Sequence, residues 1–313
     1  MKESYTLSDL QNWEAAAANE NQPIRLGVFG DPVHHSLSPQ MHNAALTHCG
    51  LAMRYARFQI RTEEIQTALR LLPALGFIGV NLTVPHKMSA VGVLDQLSDF
   101  ARVVGAINTV RIEGERLWGS NTDGPGFARA IRSEFAVDLR DLRVLLLGAG
   151  GGAGRAIAMQ CAAEGCERLV LVNRMADKAE QLAVELKNSF ADARVSGPVP
   201  RLTVIPWEER ALRFQIANSD LLVNASSVGL HHSDASPIAA SLLAPHLLVY
   251  DTVYSQQRTP LLVATAEAGA RGANGLSMLL HQGALAFETW FDRDAPIEVM
   301  RAALAHELGG TRT

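Results

Sequence analysis

A glycine-rich string, Gly148-Ala149-Gly150-Gly151-Gly152-Ala153-Gly154, stands between a continuous apolar run, Arg143–Leu147, and a helical pattern, Arg155–Glu164. A strand that is apolar at nearly every position is one buried on both faces, as in a parallel sheet covered by helices. Glycines between such a strand and a helix leave the chain few choices. The G-x-G-x-x-A within the string puts Gly148 at a tight turn, Gly150 where a ligand approaches the backbone, and Ala153 where helix packs on strand. The helix N-terminus then offers free N–H groups and a positive dipole end to a pyrophosphate. The segment predicts a dinucleotide site contributed by Gly148, Ala149, Gly150, Gly151, Gly152 and Ala153. A flexible loop, the plainer reading of glycines alone, does not need these flanks.

Further apolar runs follow at Arg168–Val172, Leu202–Ile205, Asp220–Val223 and Leu247–Tyr250, with helical segments between most of them. This is the cadence of a Rossmann-type doubly wound sheet. At the end of the second run, where an NAD site places an acid on the ribose hydroxyls, stand Asn173 and Arg174, with Lys178 one helical turn on. A guanidinium binds a 2′-phosphate in a forked geometry and an acid repels it, so NADP is favoured over NAD.

The chain has 313 residues, which favours two domains. From Ile24 onward, strand-like runs (Arg25–Phe29, Tyr55–Ile60, Phe77–Thr83, Gly105–Arg111) alternate with helical patterns such as Glu63–Leu72. They predict a second α/β domain with a mainly parallel sheet. Leu7, Leu10 and Trp13 mark a short packing helix before it. The segment Gly275–Phe291 is apolar on two faces and is expected to return to the first domain. The expected partition is therefore 1–125 completed by 275–313 for one domain, with 126–274 inserted as the other.

With 28 Lys and Arg against 32 Asp and Glu, the net charge of −4 offers no field to a nucleic-acid backbone. The three cysteines, Cys49, Cys161 and Cys166, lie in apolar runs without ligand spacing. Neither a disulfide framework nor a zinc cage is implied, and a cytoplasmic location fits. No run is long enough to span a membrane. His34-His35 and His231-His232 raise the thought of zinc, but adjacent histidines in extended chain point to opposite faces, so no metal is expected.

Small polar groups gather in four segments of the first domain: Ser36-Leu37-Ser38, Asn81–Lys87, Asn108-Thr109 and Asn121-Thr122-Asp123. Ser36 with Ser38, and Asn81 with Thr83, are spaced by two, so extended backbone turns each pair to one side. Such groups suit a polyol or carboxylate. Lys87 is an acid/base candidate and Asp123 a candidate orienting partner. Taken singly, a solvated lysine and a helix-capping aspartate are the plainer readings.

Taken together, the chain from about Leu26 to Phe291 resembles the shikimate dehydrogenase family, which includes shikimate/quinate dehydrogenases. The resemblance lies in G-D-P-V-H-H-S-L-S-P-Q-M-H-N (30–43), N-L-T-V-P-H-K (81–87), G-A-I-N-T-V (105–110) and S-N-T-D-G (120–124). It continues through the glycine turn with N-R (173–174), Y-D-T-V-Y (250–254) with T-P (259–260), and G-L-S-M-L-L-H-Q-G-A (275–284). It implies an NADP-dependent oxidoreductase that interconverts 3-dehydroshikimate and shikimate in aromatic amino acid biosynthesis. It also implies roles: Ser36 and Ser38 toward the substrate carboxylate; Asn81, Thr83, Asn108 and Gln282 toward the ring and its hydroxyls. Lys87 and Asp123 become the catalytic pair, Tyr254 lies near the substrate and Gly275 near the nicotinamide.

The departures are Met175 where a hydroxyl residue is frequent, Gly154 where Ala or Ser is common, and Ser277 where glycine is frequent. Met175 removes one phosphate contact. Quinate use with NAD or both cofactors is one alternative, and a non-catalytic NADP or metabolite sensor is another. The presence of Lys87 and Asp123 argues against the sensor. Both monomer and homodimer are compatible with the sequence.

Overall fold

The computed structural model describes residues 2–191, 200–229, 234–254 and 257–309. The chain divides into two compact units, Met1–Thr122 with Leu279–Thr313, and Asp123–Met278. The division falls at Asp123 rather than after residue 125, because the helix Asp123–Phe135 buries Phe127, Ile131 and Phe135 and packs on the helix Gly152–Glu164.

The first unit holds six strands: β1 (Ile24–Gly30), β2 (Arg54–Gln59), β3 (Gly79–Leu82), β4 (Gln96–Leu97), β5 (Thr109–Glu113) and β6 (Arg116–Ser120). They lie in the order β2-β1-β3-β5-β6-β4. The β1–β2, β1–β3 and β4–β6 pairings are parallel, whereas β3–β5 and β5–β6 are antiparallel. Neither β4 nor β6 is among the strands expected from the sequence. In β6, Arg116, Leu117 and Trp118 alternate between exposed and buried, the pattern of a strand with one wet face, not of a buried parallel run. The strand expected from Gly105 starts later, at Thr109, since Gly105 terminates the helix Asp99–Val104 with φ +65°.

One face of this sheet carries a core of Phe29, Phe58, Phe77 and Val80 with Tyr5 and Leu10 from the N-terminal segment. Short helices at Leu7–Gln11 and Trp13–Ala17 realise the expected packing segment, and Tyr5 forms a parallel bridge with Phe58. Another core joins Leu26, Val28 and Tyr55 to Met41, Leu280, Phe287, Trp290 and Met300. Its helices are Ser38–His48, Leu276–Phe291 and Ile297–Glu307. The helix Leu276–Phe291 thus carries the chain back to the first unit from Leu279 onward.

The second unit has β7 (Arg143–Leu147), β8 (Arg168–Val172), β9 (Leu202–Ile205), β10 (Leu221–Asn224), β11 (Leu248–Asp251) and β12 (Arg271–Asn274). All pairings are parallel, in the order β12-β11-β10-β7-β8-β9. This is the doubly wound Rossmann order, with its switch point between β7 and β10. Strand β12 is not expected from the sequence because Arg-Gly-Ala-Asn carries no apolar run. Cys161 and Cys166 are fully buried, as packing residues.

Candidate active site

Strand β3 sits where the first sheet changes from parallel to antiparallel pairing, with Asn81 opposite Val28 of β1 and Thr109 of β5. The Asn81 side chain is buried. Its Nδ2 donates to the Asn108 carbonyl and to Thr109 Oγ1, each at 3.1 Å. Its Oδ1 accepts from the Tyr55 hydroxyl at 2.8 Å, and that phenol also hydrogen-bonds the buried Ser38 side chain. Burial pushes the Tyr55 phenol well above its ordinary range, which keeps it a neutral donor.

Asn108 precedes β5 and Thr122 follows β6, so the β5–β6 hairpin brings their side chains together. Asn108 Nδ2 donates to Thr122 Oγ1 at 2.9 Å and to Gln282 Oε1 at 3.3 Å. Its Oδ1 accepts the Thr122 N–H at 2.8 Å. Gln282 in turn donates to the Leu279 carbonyl at 2.8 Å. Ser38, Asn81, Asn108 and Gln282 therefore belong to one buried lattice, completed by Tyr55, Thr109 and Thr122.

Ser36 and Ser38 are not on an extended strand as their spacing implied. Ser38 opens the helix Ser38–His48, and its N–H donates to Ser36 Oγ at 3.3 Å. The Arg57 guanidinium clamps the Ser36 carbonyl at 2.7 and 3.0 Å and reaches Gln40. His34 and His35 likewise do not point apart: they occupy a turn, with ring centres 3.8 Å apart. No group of three or more metal-ligating side chains exists among the described residues; His231 and His232 lie outside them.

Thr83 leaves β3, its N–H donating to the Phe29 carbonyl at 2.9 Å. Lys87 lies in the short helix His86–Ser89, which is pinned at both sides. His86 Nε2 meets the Ile60 carbonyl at 2.7 Å, and the Lys87 carbonyl accepts the Ile107 N–H at 2.7 Å, one residue before Asn108.

In the second unit Asp123 is buried at the start of its helix. Gly148 has φ +79°, and a Cβ there would sit 2.6 Å from the Ser226 nitrogen. A Cβ on Gly150 would meet Asn173 Nδ2 and Lys178 Cβ, each at 2.5 Å. The close-packed position of the turn is Gly154, whose Cβ would collide with the Gly148 carbonyl oxygen; Ala153, expected there, is half-buried. The helix starts at Gly152, so its first turn carries Ala153 outward and Gly154 onto the strand end. Arg174 and Lys178 are exposed. Asn173 Oδ1 accepts the Met175 N–H at 3.1 Å. Tyr254 follows β11, and Gly275 packs against the Thr252 backbone too closely for any Cβ. Tyr250 fixes the segment after Gly275, its hydroxyl lying 3.0 Å from Ser277 Oγ and accepting the Met278 N–H at 3.0 Å.

Family models match in three blocks: a shikimate dehydrogenase substrate binding domain at 28–110, a shikimate/quinate 5-dehydrogenase at 129–196, and a shikimate 5′-dehydrogenase C-terminal domain at 275–305. The chain is 41% identical over 285 residues to the shikimate dehydrogenase (NADP(+)) of Methanopyrus kandleri, covering 90% of this chain and 95% of that one. The chain belongs to the shikimate dehydrogenase family. Among solved structures, the Thermus thermophilus shikimate 5-dehydrogenase in complex with NADP(H) and shikimate is 36% identical, with a TM-score of 0.79 over 91% of this chain and 99% of that one. The Corynebacterium glutamicum quinate dehydrogenase in complex with NAD is 28% identical, with a TM-score of 0.79 over 91% and 100%.

Sequence reasoning does not single out Tyr55, Arg57 or His42. His42 lies in a matched motif but carries no signal of its own. Its ring stacks on Tyr55, centres 4.5 Å apart and planes 10° apart, and neither nitrogen has a partner among the described residues.

The lattice is testable through stability. Tyr55→Phe leaves Asn81 Oδ1 buried with one donor fewer and is expected to cost about 1–3 kcal/mol of unfolding free energy, read by urea titration. An unchanged midpoint counts against the lattice. Burial holds the His42 imidazole down to about 3 from an ordinary value of 6.5. The unfolded chain takes up this proton near the ordinary value and the folded chain only near the lowered one. The contribution of neutral His42 is thus complete above pH ~6.5 and lost as pH falls toward ~3. His42→Leu is expected to reduce the drop in stability between pH ~6.5 and ~4.5 by about 2–3 kcal/mol. Parallel slopes for the two proteins overturn this.

Proposed function

We propose that the chain catalyses the reversible NADP-dependent interconversion of 3-dehydroshikimate and shikimate, a CH–OH oxidoreduction in aromatic amino acid biosynthesis. The observation that carries the reading is the buried lattice from Ser38 through Tyr55, Asn81 and Asn108 to Gln282, a rigid array of hydroxyls and amides suited to a small hydroxylated carboxylate. The names of the Methanopyrus kandleri relative and of the Thermus thermophilus complex support it.

In this reading the first unit takes the substrate, Ser36 and Ser38 facing its carboxylate and Asn81, Thr83, Asn108 and Gln282 its ring hydroxyls, with Tyr254 nearby. The second unit takes NADP through Gly148, Ala149, Gly150, Gly151, Gly152, Ala153, Asn173, Arg174, Lys178 and Gly275. The residues present fit that group. The glycine at position 150 lets Asn173 and Lys178 close directly onto the turn, where a Cβ would collide with both, and Arg174 has no carboxylate partner among the described residues.

NADPH, when bound, supplies the hydride that reduces the substrate carbonyl carbon. Lys87 holds the proton that the developing alkoxide takes, and in the oxidative direction its Nζ accepts the proton from the hydroxyl. The pinned helix His86–Ser89 keeps that ammonium in register with Asn108 through the Ile107 N–H. Asp123 orients the lysine. The lattice fixes the substrate ring so that only one carbon is presented for reduction.

Quinate oxidation with NAD or both cofactors is the second reading, favoured by Met175, which is 56% exposed and has no hydroxyl for a phosphate. A cytoplasmic location, a monomeric or homodimeric state and the absence of nucleic-acid partners belong to the first reading. No described helix is long and apolar enough to cross a membrane.

A spectrophotometric panel of shikimate and quinate against NADP and NAD tests the reading, with shikimate and NADP expected to give the highest kcat/KM. Absence of reduced cofactor in every combination revives the non-catalytic sensor. In the same assay, Lys87→Ala is expected to lower kcat about 10²–10⁴-fold. Shikimate affinity is expected to change by less than about threefold, which separates loss of proton transfer from loss of binding.

A further inference from the structure

We propose that Trp207 is a positioning residue for NADP specificity, holding the Arg174 guanidinium as the receptor for the 2′-phosphate. The inference rests on the NADP reading of the second unit and assigns what enforces it.

Strands β8 and β9 pair in parallel with Val172 opposite Ile205. Each chain runs two residues past that pair, to Arg174 on one side and Trp207 on the other, so the sheet register itself sets the two side by side. The Arg174 Cζ lies 5.6 Å from the centre of the Trp207 ring. The indole is anchored from a second loop, since its Nε1–H donates to the Pro237 carbonyl at 3.2 Å. Arg174, Trp207, Asn173 and Ser236 line one cavity of about 710 Å³.

An indole holds a guanidinium by cation–π attraction without neutralising it, and a guanidinium so held keeps its charge and N–H donors for a phosphate dianion. Elsewhere in the unit Arg143 and Arg155 direct their edges to Asp220 and Glu185. Arg174 has no such carboxylate among the described residues. Glu208 and Asp234 line the same cavity and offer a guanidinium released from the indole competing anions. The indole therefore keeps Arg174 available, and with Met175 in place of a hydroxyl the phosphate grip depends more heavily on that orientation.

The test is calorimetric binding of 2′,5′-ADP and 5′-AMP to the full chain. The wild type is expected to bind 2′,5′-ADP more tightly. Trp207→Leu is expected to lose about tenfold for 2′,5′-ADP and stay within about twofold for 5′-AMP. Trp207→Phe, which keeps an aromatic face, is expected to retain most of the preference. On an Arg174→Ala background, Trp207→Leu should cause no further loss. The exposed change Arg174→Lys keeps the charge without the planar face, so it is expected to lose a comparable factor and serves where Trp207→Leu fails to fold. In steady state the KM for NADP rises while kcat holds. Equal weakening of both nucleotides, no weakening of either, or full preference in Arg174→Lys overturns the proposal. If the wild type does not distinguish the two nucleotides, the NADP reading falls with it. Wild-type preference that survives Trp207→Leu removes the Trp207 role alone.

Discussion

The side-chain amides of Asn81 and Asn108 are buried, and much of the first unit is arranged to satisfy them. A primary amide brings two donors and two acceptor lone pairs, and leaving one unmatched away from water costs about 1–3 kcal/mol. The demand explains why β3 pairs antiparallel with β5. That pairing sets Thr109 opposite Asn81 and brings the Asn108 carbonyl within reach of Nδ2. It also explains the β5–β6 hairpin, whose open end delivers Thr122 to both ends of the Asn108 amide. The bond that Asn108 Nδ2 donates to Gln282, at 3.3 Å, is longer than the one it donates to Thr122, at 2.9 Å. It is the one more readily exchanged for a ligand oxygen.

The second unit solves a different problem. A dinucleotide is bound mainly by backbone N–H groups, so side chains must be removed where the ligand and neighbouring strands approach. Gly148 lies at the crossing of the loops after β7 and β10, the switch point of the sheet, where a Cβ would meet Ser226 and Ala225. Gly154 lets the helix seat on the turn's own carbonyl. These are sites of absence, and any substitution there acts by steric displacement, with no hydrogen bond removed.

This contrast decides what is legible in the sequence. The glycine turn, the five apolar strands of the Rossmann order and the Asn, Ser and Lys segments are readable, because each departs from what core or surface ordinarily holds at its position. The consensus spacing assigns the packing place to Ala153, and Gly154 takes it, since spacing alone does not say where the helix begins. The edge strands β4 and β12 are hidden because two residues of Gln-Leu, or Arg-Gly-Ala-Asn, form no apolar run. Tyr55 is hidden for another reason. In a strand an aromatic residue signals core packing, and only the tertiary placement of Asn81 turns its hydroxyl into a required donor. Trp207 and Arg57 share that property: each works through a residue far away in sequence.

A net charge of −4 is a poor recommendation for binding a phosphorylated dinucleotide and a carboxylate. The total is nevertheless not the relevant quantity. Screening confines the influence of exposed charges to about 8–10 Å at ordinary ionic strength, so a distant Asp or Glu counts for little at the end of β8. What matters is whether the local cations are already matched. Arg143, Arg155 and Arg70 each face a carboxylate, and their charge is neutralised where it stands. Arg174 meets an indole instead. An aromatic face steadies a guanidinium without neutralising it, so the cation keeps both its orientation and its charge for an incoming anion.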